Sequence, residues 1–401
     1  MWRRRIGVGL LVMVLLVAAG GVAVWRSVRP PAIPAFYDPP ELAADARAGQ
    51  ILRTEAIDSE VAGVRLWRML YTSTRLDGAV VAVSALVAAP VAPPPEGGYP
   101  LVAVGHGTVG IARGCAPSIA PFEQFDATHT AYGFFAGHFV EAGYAVIIAD
   151  YQGLGTPGDN AYLVGQIEGR NILDSARAMA TFPNVPVQPG LVIEGQSQGG
   201  HAALFAHQIA PVYAPELQVL GVAALAPAAD PEAIFRGVTD VNDRGGVTAL
   251  PVMAVDAYTT AYPDVSIDQV LTERGVGALR NVIDELCVLQ AILGTQLARP
   301  SDLIQPTGLD VLKPYVELNT PGAGPFATPI FLGQGDADVV VPITTNARVA
   351  ERLCSAGNNV TYRVYEGAGH FAVVDRSTAD VLAWMQAVRD GQVPASTCVR
   401  R

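Results

Sequence analysis

The sequence contains few charged residues and almost no lysine. Charged residues make up 16% of the 401 residues, and the formal net charge is −11, whereas an average globular protein carries about 25% charged residues. Lys313 is the only lysine, so the positive charge is almost entirely arginine. No basic stripe with interleaved aromatic residues is present, which excludes nucleic acid as a partner.

Cysteine is also scarce, and no Cys-x-x-Cys pair occurs. This spacing excludes a zinc site of the usual kind, and no sequence feature calls for a metal or an organic cofactor. The even number of cysteines in an exported chain predicts disulfides, with three connectivities open. The cysteines are Cys115, Cys287, Cys354 and Cys398. Three histidines show no metal-ligand pattern: His129, His138 and His207.

One long hydrophobic run lies near the N-terminus. Residues 6–25 carry no charge, and arginines stand on both sides of the run. A bilayer is spanned by about 20 apolar residues, and a cluster such as Arg3 to Arg5 stays in the cytoplasm. Residues 1–29 are therefore predicted to be a signal peptide or a membrane anchor, and the rest of the chain is predicted to be secreted or extracytoplasmic. Small residues at 17–19 offer a cleavage site, so both alternatives stay open.

A repeated pattern of short apolar runs follows. Residues 61–71 and 79–89 predict an antiparallel hairpin. Residues 101–104, 145–149, 191–193 and 219–224 predict strands buried on both faces, with helical segments such as 130–142 and 171–181 between them. This alternation predicts an α/β fold with a mostly parallel sheet flanked by helices. Catalytic groups in such folds stand at the carboxyl ends of the strands.

The strand pattern stops for about a hundred residues and resumes at residue 329. Helices are predicted over 231–238, 267–297 and 309–318. Residues 228–326 are therefore predicted to form a helical cap or lid, inserted between the core segments 30–227 and 327–401. The alternative is a packed helical layer with no gating role.

The most informative stretch is Gly-Gln-Ser-Gln-Gly at 195–199, between an apolar run and a helical segment. A strand, a sharp turn and a helix would present Ser197 as a nucleophile, and Gly195 and Gly199 leave room for that turn. The same turn would aim the backbone N–H of Gln198 at the oxygen of the attacked group.

A serine nucleophile needs a histidine base and a carboxylate, here in the chain order serine, acid, histidine. His370 is the one histidine after the predicted cap. Two aspartates follow the strand that begins near residue 330. Asp338 fits the spacing Gly-x-x-Asp-x-x-Val-Pro and is favoured, and Asp336 is the alternative.

A second oxyanion donor is expected in the loop after residues 101–104. Thr108 N–H is favoured there, with Gly110 as the alternative. His106 is expected to make a structural hydrogen bond, and Asp150 to brace a loop, with Tyr151 lining an acyl pocket. His201 is expected to lie buried in helix packing.

Three further stretches carry a family resemblance: Phe-Tyr-Asp-Pro-Pro at 36–40, Cys-Ala-Pro-Ser at 115–118 and Asp-Tyr-Gln-Gly-Leu-Gly at 150–155. With the elbow at Ser197 and the loops of Asp338 and His370, the chain resembles the secretory lipase family of the α/β-hydrolases from about residue 36 to 390. The elbow departs from that pattern, because glutamine stands on both sides of the serine. The resemblance implies a lid over the serine and hydrolysis of carboxylic esters, including acylglycerols. It also implies the disulfides Cys115–Cys287 and Cys354–Cys398.

The sequence therefore predicts an exported serine hydrolase, a lipase or esterase that acts on lipophilic esters through an acyl-enzyme. Contact with a membrane or lipid interface is expected, and no obligate protein partner is predicted. The alternatives are an acyltransferase or a serine peptidase with the same triad, or a non-catalytic lipid-binding envelope protein.

Overall fold

The structure is a computed structural model, and it describes residues 29–122, 130–236, 248–326 and 328–398. The predicted signal peptide or anchor, including the run 6–25, lies outside these residues, as does His129. Within the described ranges, no helix has the length and apolar character needed to cross a membrane.

The core of the described chain is a nine-stranded sheet with the order β1-β2-β3-β5-β4-β6-β7-β8-β9. Strands β4 to β9 are parallel to one another. Strands β1, β2 and β3 form an antiparallel edge, in which β3 pairs with β5. The prediction of a mostly parallel sheet is confirmed. The strands are β1 Ile51–Ile57, β2 Val64–Thr74, β3 Val80–Pro90, β4 Tyr99–Gly105, β5 Ala145–Ala149, β6 Val187–Gln196, β7 Val219–Leu225, β8 Ile330–Gly335 and β9 Val360–Tyr365.

Helices cover both faces of this sheet, which explains why its inner strands are apolar on both sides. The helices of the described chain are α1 His138–Glu141, α2 Gly165–Ala180, α3 Gln198–Tyr213, α4 Pro231–Arg236, α5 Ala249–Ala261, α6 Ile267–Val270, α7 Glu273–Ala278, α8 Val288–Thr295, α9 Pro300–Leu303, α10 Gly308–Leu318, α11 Ile343–Ser355 and α12 Ala372–Arg389. Helices α2, α3 and α11 pack on one face, for example through Leu173, Leu204 and Val349. Helices α1 and α12 pack on the other face, through residues such as Phe139 and Trp384.

The predicted hairpin is present as β2 and β3, paired from Val64 with Pro90 to Thr74 with Val80. The sequence pattern did not predict β1. This strand lies at the sheet edge, and its residues Thr54 to Ala56 are exposed, so it lacks the apolar run that identifies a buried strand.

Residues 226–329, here called the insertion, connect β7 to β8 and contain helices α4 to α10. The insertion has its own hydrophobic core, which packs against residues 161–167 of the sheet domain. The boundaries 228–326 remain a prediction of the sequence. The predicted helix over 231–238 is seen as α4 as far as the described residues extend.

The single helix predicted over 267–297 is wrong. The segment breaks into α6, α7, a π-helical turn at Leu279–Ile283 and α8. The breaks have local causes. Ser266 forms a capping box with Gln269 at the start of α6, and the side chain of Thr272 accepts a hydrogen bond from Gly275 N at the start of α7. Cys287 leaves the helical path to form a disulfide with Cys115.

A second disulfide, Cys354–Cys398, holds the C-terminal segment across the outer edge of β9. Along this edge, Thr397 N donates to Val360 O at 2.8 Å, and Tyr362 N donates to Thr397 Oγ1 at 2.9 Å. Both disulfides join the cysteines that the family resemblance pairs.

Candidate active site

Ser197 lies at the carboxyl edge of the sheet, between the end of β6 and the first residue of α3. Its backbone is strained, with φ 57° and ψ −118°. The turn is possible only because its neighbours are small. A Cβ on Gly195 would overlap the carbonyl oxygen of Gly199, and a Cβ on Gly199 would overlap that of Gly105. The turn therefore presses α3 against the end of β4 and holds the serine side chain above the sheet.

The structure brings Ser197, His370 and Asp338 into one hydrogen-bonded chain. His370 Nε2 lies 2.9 Å from Ser197 Oγ, and His370 Nδ1 lies 2.8 Å from Asp338 Oδ2. The carboxylate can only accept, so Nδ1 carries the proton and Nε2 is free to accept from the Ser197 hydroxyl. All three side chains are buried. These distances fit a nucleophile, a general base and an orienting acid.

The Asp338 carboxylate is held in its charged form. Burial alone would raise its pKa, but the hydrogen bond and the charge of His370, with the N–H groups of Val341 and Val340, keep the pKa below its ordinary value. Both backbone N–H groups donate to Asp338 Oδ1 at 2.8 Å. The arrangement leaves Oδ2 for the imidazole.

Asp336 occupies a different position. Its Oδ1 accepts from Gly367 N at 2.6 Å, in the turn before His370, and the structure does not place it against the imidazole. Asp336 therefore holds the loop that carries His370, whereas Asp338 contacts the histidine itself.

Two glutamines support these residues, and the sequence pattern did not assign them a role. Gln196 Nε2 donates to the His370 carbonyl oxygen at 3.0 Å. Gln334 Nε2 lies 3.3 Å from Asp338 Oδ2 and donates to Val341 O at 3.0 Å, while Asn346 donates to Gln334 Oε1 at 2.6 Å. Gln196 stands inside the elbow motif and Gln334 directly before the Asp338 motif, but their partners are set by the fold.

The two expected oxyanion donors come from the start of α3 and from the loop after β4. Gln198 is the first residue of α3, where helical N–H groups lack intrahelical partners. Residues 105–110, here called the hole loop, follow β4 and contain Thr108, whose hydroxyl lies 3.1 Å from that of Tyr162. Gly110 instead pairs with Cys287 of the insertion. The donor role of Thr108 remains a prediction.

A second carboxylate, Asp150, lies at the same edge of the sheet and is fully buried. Its Oδ2 accepts from Ser84 Oγ at 2.6 Å and from the Ser118 hydroxyl, and Ser118 Oγ lies 2.7 Å from Tyr37 OH. Burial raises the pKa of Asp150 to about 6, against the hydrogen bonds of the two serines. The three family-specific motifs therefore meet in one buried network, called here the brace, and Asp150 fastens the loop that contains Cys115.

Tyr151 contacts the hole loop at His106. The Tyr151 hydroxyl donates to His106 O at 3.2 Å, and the two rings are 4.4 Å apart. His106 Nε2 lies 3.1 Å from Asp150 O, and burial lowers the pKa of His106 to about 4. Tyr151 therefore supports the hole loop from inside the core, and the expected place in an acyl pocket is not what these contacts describe.

Another buried network joins the elbow to the insertion. Glu168 Oε1 accepts from Gln198 Nε2 at 2.6 Å, and Glu168 Oε2 lies 3.2 Å from His201 Nδ1. His201 Nε2 lies 2.8 Å from the carbonyl oxygen of Asn319. Both ring nitrogens of His201 therefore face oxygen atoms of other chain segments. His201 is buried, as expected, but it is hydrogen-bonded as well as packed.

Comparison with known proteins assigns the chain to a family. The family model described as secretory lipase matches residues 127–396. The chain belongs to the secretory lipase family. Lipase A of Moesziomyces aphidis is 23% identical over 387 residues, which cover 90% of this chain and 81% of that protein. Lipase 5 of Candida albicans is 26% identical over 406 residues, with 90% and 82% covered.

One similar protein is named a probable inactive lipase. This protein of Mycobacterium tuberculosis is 24% identical over 387 residues, with 90% of this chain and 83% of that protein covered. Similarity within the secretory lipase family therefore extends to a member that is named as inactive.

Solved structures share the fold. Candida antarctica lipase A in its closed state has a TM-score of 0.77 at 22% identity, with 91% of this chain and 87% of that chain covered. The rice cell wall degrading esterase LipA from Xanthomonas oryzae has a TM-score of 0.68 at 18% identity, with 86% and 99% covered. The predicted α/β-hydrolase fold and the predicted class, a serine hydrolase of the lipase and esterase type, are confirmed.

Proposed function

We propose that this secretory lipase family member hydrolyses lipophilic carboxylic esters through Ser197, His370 and Asp338. The observation that carries the proposal is the hydrogen-bonded chain from Ser197 Oγ through His370 to Asp338, with distances of 2.9 and 2.8 Å. Besides the ester, the proposed mechanism uses only groups of this chain and water.

In the first half-reaction, Ser197 Oγ attacks the ester carbonyl while His370 Nε2 takes the hydroxyl proton. Asp338 stabilises the imidazolium that forms and keeps its ring in place. The negative charge on the former carbonyl oxygen is stabilised by the N–H groups of Gln198 and Thr108. Collapse of the intermediate returns the proton to the leaving alcohol and leaves an acyl group on Ser197.

In the second half-reaction, water attacks the acyl-enzyme. His370 takes a proton from this water and returns it to Ser197 Oγ as the carboxylic acid leaves. The free enzyme is regenerated, with the proton back on Ser197 Oγ and His370 neutral at Nε2.

Lipophilic esters are proposed as substrates because similar proteins are named as lipases. The similar proteins include secreted triacylglycerol lipases of Malassezia globosa and Malassezia furfur. An extracytoplasmic location is proposed on the same grounds. It agrees with the arginine cluster before residues 6–25.

The test is hydrolysis of chromogenic esters from acetate to palmitate by the full chain, with Ser197→Ala beside it. Ser175→Ala is a matched control, because Ser175 is a buried serine that bonds only within its own helix, to Ile172 O. We expect Ser197→Ala to abolish turnover without a change in the folded structure and Ser175→Ala to retain it. Turnover that survives Ser197→Ala would refute the assignment.

The remaining alternatives are separated by a covalent probe and by product analysis. An organophosphorus probe that labels the wild type but not Ser197→Ala would exclude a non-catalytic lipid-binding protein. Free acid as the product supports hydrolysis, whereas transfer to an added alcohol would indicate an acyltransferase. Cleavage of peptides in place of esters would favour the peptidase.

A further inference from the structure

Glu168 carries a fully buried carboxyl group beside the candidate active site. It lies in the first turn of α2, and two glycines of that helix allow it to reach α3. A Cβ on Gly165 would overlap the ring of Phe205, and a Cβ on Gly169 would lie 2.8 Å from Ala206 N. The start of α2 is therefore packed closely against α3, which brings the Glu168 carboxyl group within hydrogen-bond distance of side chains on α3.

One carboxyl oxygen of Glu168 accepts two hydrogen bonds, and each leads to an expected oxyanion donor. Oε1 accepts from the side-chain Nε2 of Gln198 at 2.6 Å, and the backbone N–H of Gln198 is the first expected donor. Oε1 also accepts from Leu163 N at 3.0 Å. Leu163 follows Tyr162, whose hydroxyl lies 3.1 Å from Oγ1 of Thr108, the second expected donor. A single oxygen atom thus connects the elbow with the segment that contacts the hole loop.

Both backbone segments that Glu168 joins contain a strained residue. Leu163 and Ser197 each have a φ of 57°, although neither is a glycine. Such backbone persists only where the surrounding structure holds it in place. The bond from Leu163 N holds the first segment, and the bond from Gln198 Nε2 holds the residue directly after Ser197.

The other carboxyl oxygen of Glu168 is bonded toward the insertion. Glu168 Oε2 lies 3.2 Å from His201 Nδ1, and His201 Nε2 lies 2.8 Å from the carbonyl oxygen of Asn319. Asn319 directly follows α10, and its Oδ1 accepts from Gly165 N at 2.9 Å. Both oxygen atoms of Glu168 are therefore engaged, and the carboxyl group is fixed in position between α2, α3 and the end of α10.

We propose that Glu168 is a positioning residue of the oxyanion hole, which sets where the N–H groups of Gln198 and Thr108 point. This role rests on the proposed ester hydrolysis, because an oxyanion forms only if Ser197 attacks a carbonyl group. Such donors act only where they face the developing charge, so a small displacement lowers kcat and leaves substrate binding unchanged. The glutamine after the serine, at which the elbow departs from the family pattern, is the residue that Glu168 holds.

The first test is the division of the effect between kcat and KM on a soluble chromogenic ester. Gln198→Met removes the side-chain donor to Glu168 and keeps the backbone N–H. We expect kcat to fall at least about tenfold, with KM within about twofold of the wild type. Gln208→Met is the matched control, because Gln208 lies in the second half of α3 and its Oε1 accepts from Gly322 N at 2.9 Å. Unchanged kcat in Gln198→Met, or an equal loss in Gln208→Met, would refute the proposal.

Two variants of Glu168 itself separate position from charge. Glutamine keeps an oxygen that accepts from Gln198 and Leu163, so Glu168→Gln should stay within about threefold of the wild type in kcat. Leucine has no acceptor, so Glu168→Leu should lose kcat as Gln198→Met does. If thermal unfolding shows that Glu168→Leu does not fold, Gln198→Met decides. A loss in Glu168→Gln as large as that in Gln198→Met would overturn the role in positioning, since charge would then be what matters.

The second test needs no turnover. A trifluoromethyl ketone forms a hemiketal with a nucleophilic serine, and the hemiketal oxygen takes the place of the oxyanion. The ¹³C NMR shift of the hemiketal carbon, followed against pH, gives the pKa of the hemiketal hydroxyl. We expect this pKa to rise by at least about 1 in Gln198→Met, which corresponds to a tenfold loss of oxyanion stabilisation, and to be unchanged in Gln208→Met.

The two ways to fail are distinguishable in this measurement. A hemiketal that forms in Gln198→Met with the pKa of the wild type would overturn the role of Glu168 and leave the proposed function intact. If the wild type formed no hemiketal at Ser197, the proposed function itself would be wrong, and the role of Glu168 would fall with it.

Discussion

Two buried aspartates lie at the same edge of the sheet, and their surroundings give them opposite properties. Asp338 faces an imidazole and two backbone N–H groups, and its pKa is lowered. Asp150 faces the hydroxyls of Ser84 and Ser118, and its pKa is raised to about 6. Burial raises the pKa of both carboxyls, and Asp150 is the more deeply buried. The partners of Asp338 outweigh burial, whereas those of Asp150 do not.

The comparison shows that burial of a carboxyl group at the catalytic edge does not identify a catalytic acid. Asp338 is bonded to a base that contacts a nucleophile, whereas Asp150 joins three chain segments. A carboxylate held charged can stabilise an imidazolium, and this is the property that separates Asp338 from Asp150.

The largest expected effect is on Asp338. Asp338→Asn should lower kcat by about 10³- to 10⁴-fold, because the amide can no longer hold the His370 tautomer or stabilise its charge. Asp336→Asn is the matched control and should stay within about threefold of the wild type, since Asp336 bonds only the turn at Gly367. Steady-state kinetics on a soluble ester measures both. The reverse result would exchange the roles of the two aspartates.

Asp150→Asn should affect stability and leave chemistry intact. Loss of a buried hydrogen-bonded carboxyl is expected to lower the free energy of unfolding by about 2 kcal/mol at pH 4, with kcat within about twofold of the wild type. Asp58→Asn, at an exposed aspartate, provides the control. If Asp150→Asn lowered kcat as much as Asp338→Asn, the distinction between a catalytic Asp338 and a structural Asp150 would be wrong.

The stability of Asp150→Asn relative to the wild type is expected to depend on pH. The pKa of Asp150 is raised in the folded state, so its contribution to stability is present below pH 4 and is lost as the pH rises through about 6. The difference in unfolding free energy between wild type and Asp150→Asn should therefore narrow by about 1 to 2 kcal/mol between pH 4 and 7. Urea unfolding at both values measures it, and a gap that widens would contradict the raised pKa. The stability contribution of Asp338 has the opposite pH dependence. Because the pKa of Asp338 is lowered in the folded state, this contribution is lost as the pH falls.

The smallest expected effect is on Gln196. Gln196→Ala removes the hydrogen bond to the His370 carbonyl, and such a bond contributes about 1 kcal/mol. We expect kcat to fall about fivefold with KM unchanged, because the base is less well held while substrate contacts remain. Gln386→Ala, on the exposed side of α12, is the control. An effect on KM alone would place Gln196 against the substrate instead.

The inner strands were predictable because strands buried on both faces are continuous apolar runs, as in residues 145–149. The edge strand β1 was not, since its exposed residues follow no such pattern. The prediction of one long helix over 267–297 was wrong for another reason. Its apolar stripe continues through caps at Ser266 and Thr272 and through Cys287, whose disulfide partner lies 172 residues away.

The candidate triad could be named from the sequence because each member stands in a local motif with a fixed chain order. The residues that support the triad could not be predicted from the sequence. Gln196 bonds a residue 174 positions away, and His201 bonds Asn319 across 118 positions. Such partners depend on the packed tertiary structure, which leaves no local pattern in the sequence.

The C-terminal segment across β9 bears on the behaviour of the protein in solution. An uncovered edge strand is a template for pairing with another molecule and hence for aggregation. Residues 394–397 occupy this edge through contacts such as Thr397 N to Val360 O, and the Cys354–Cys398 disulfide keeps them there. Reduction of this bond would remove the covalent link that keeps the segment on the edge of β9. The disulfide thus protects this edge from pairing with other molecules in an oxidising environment.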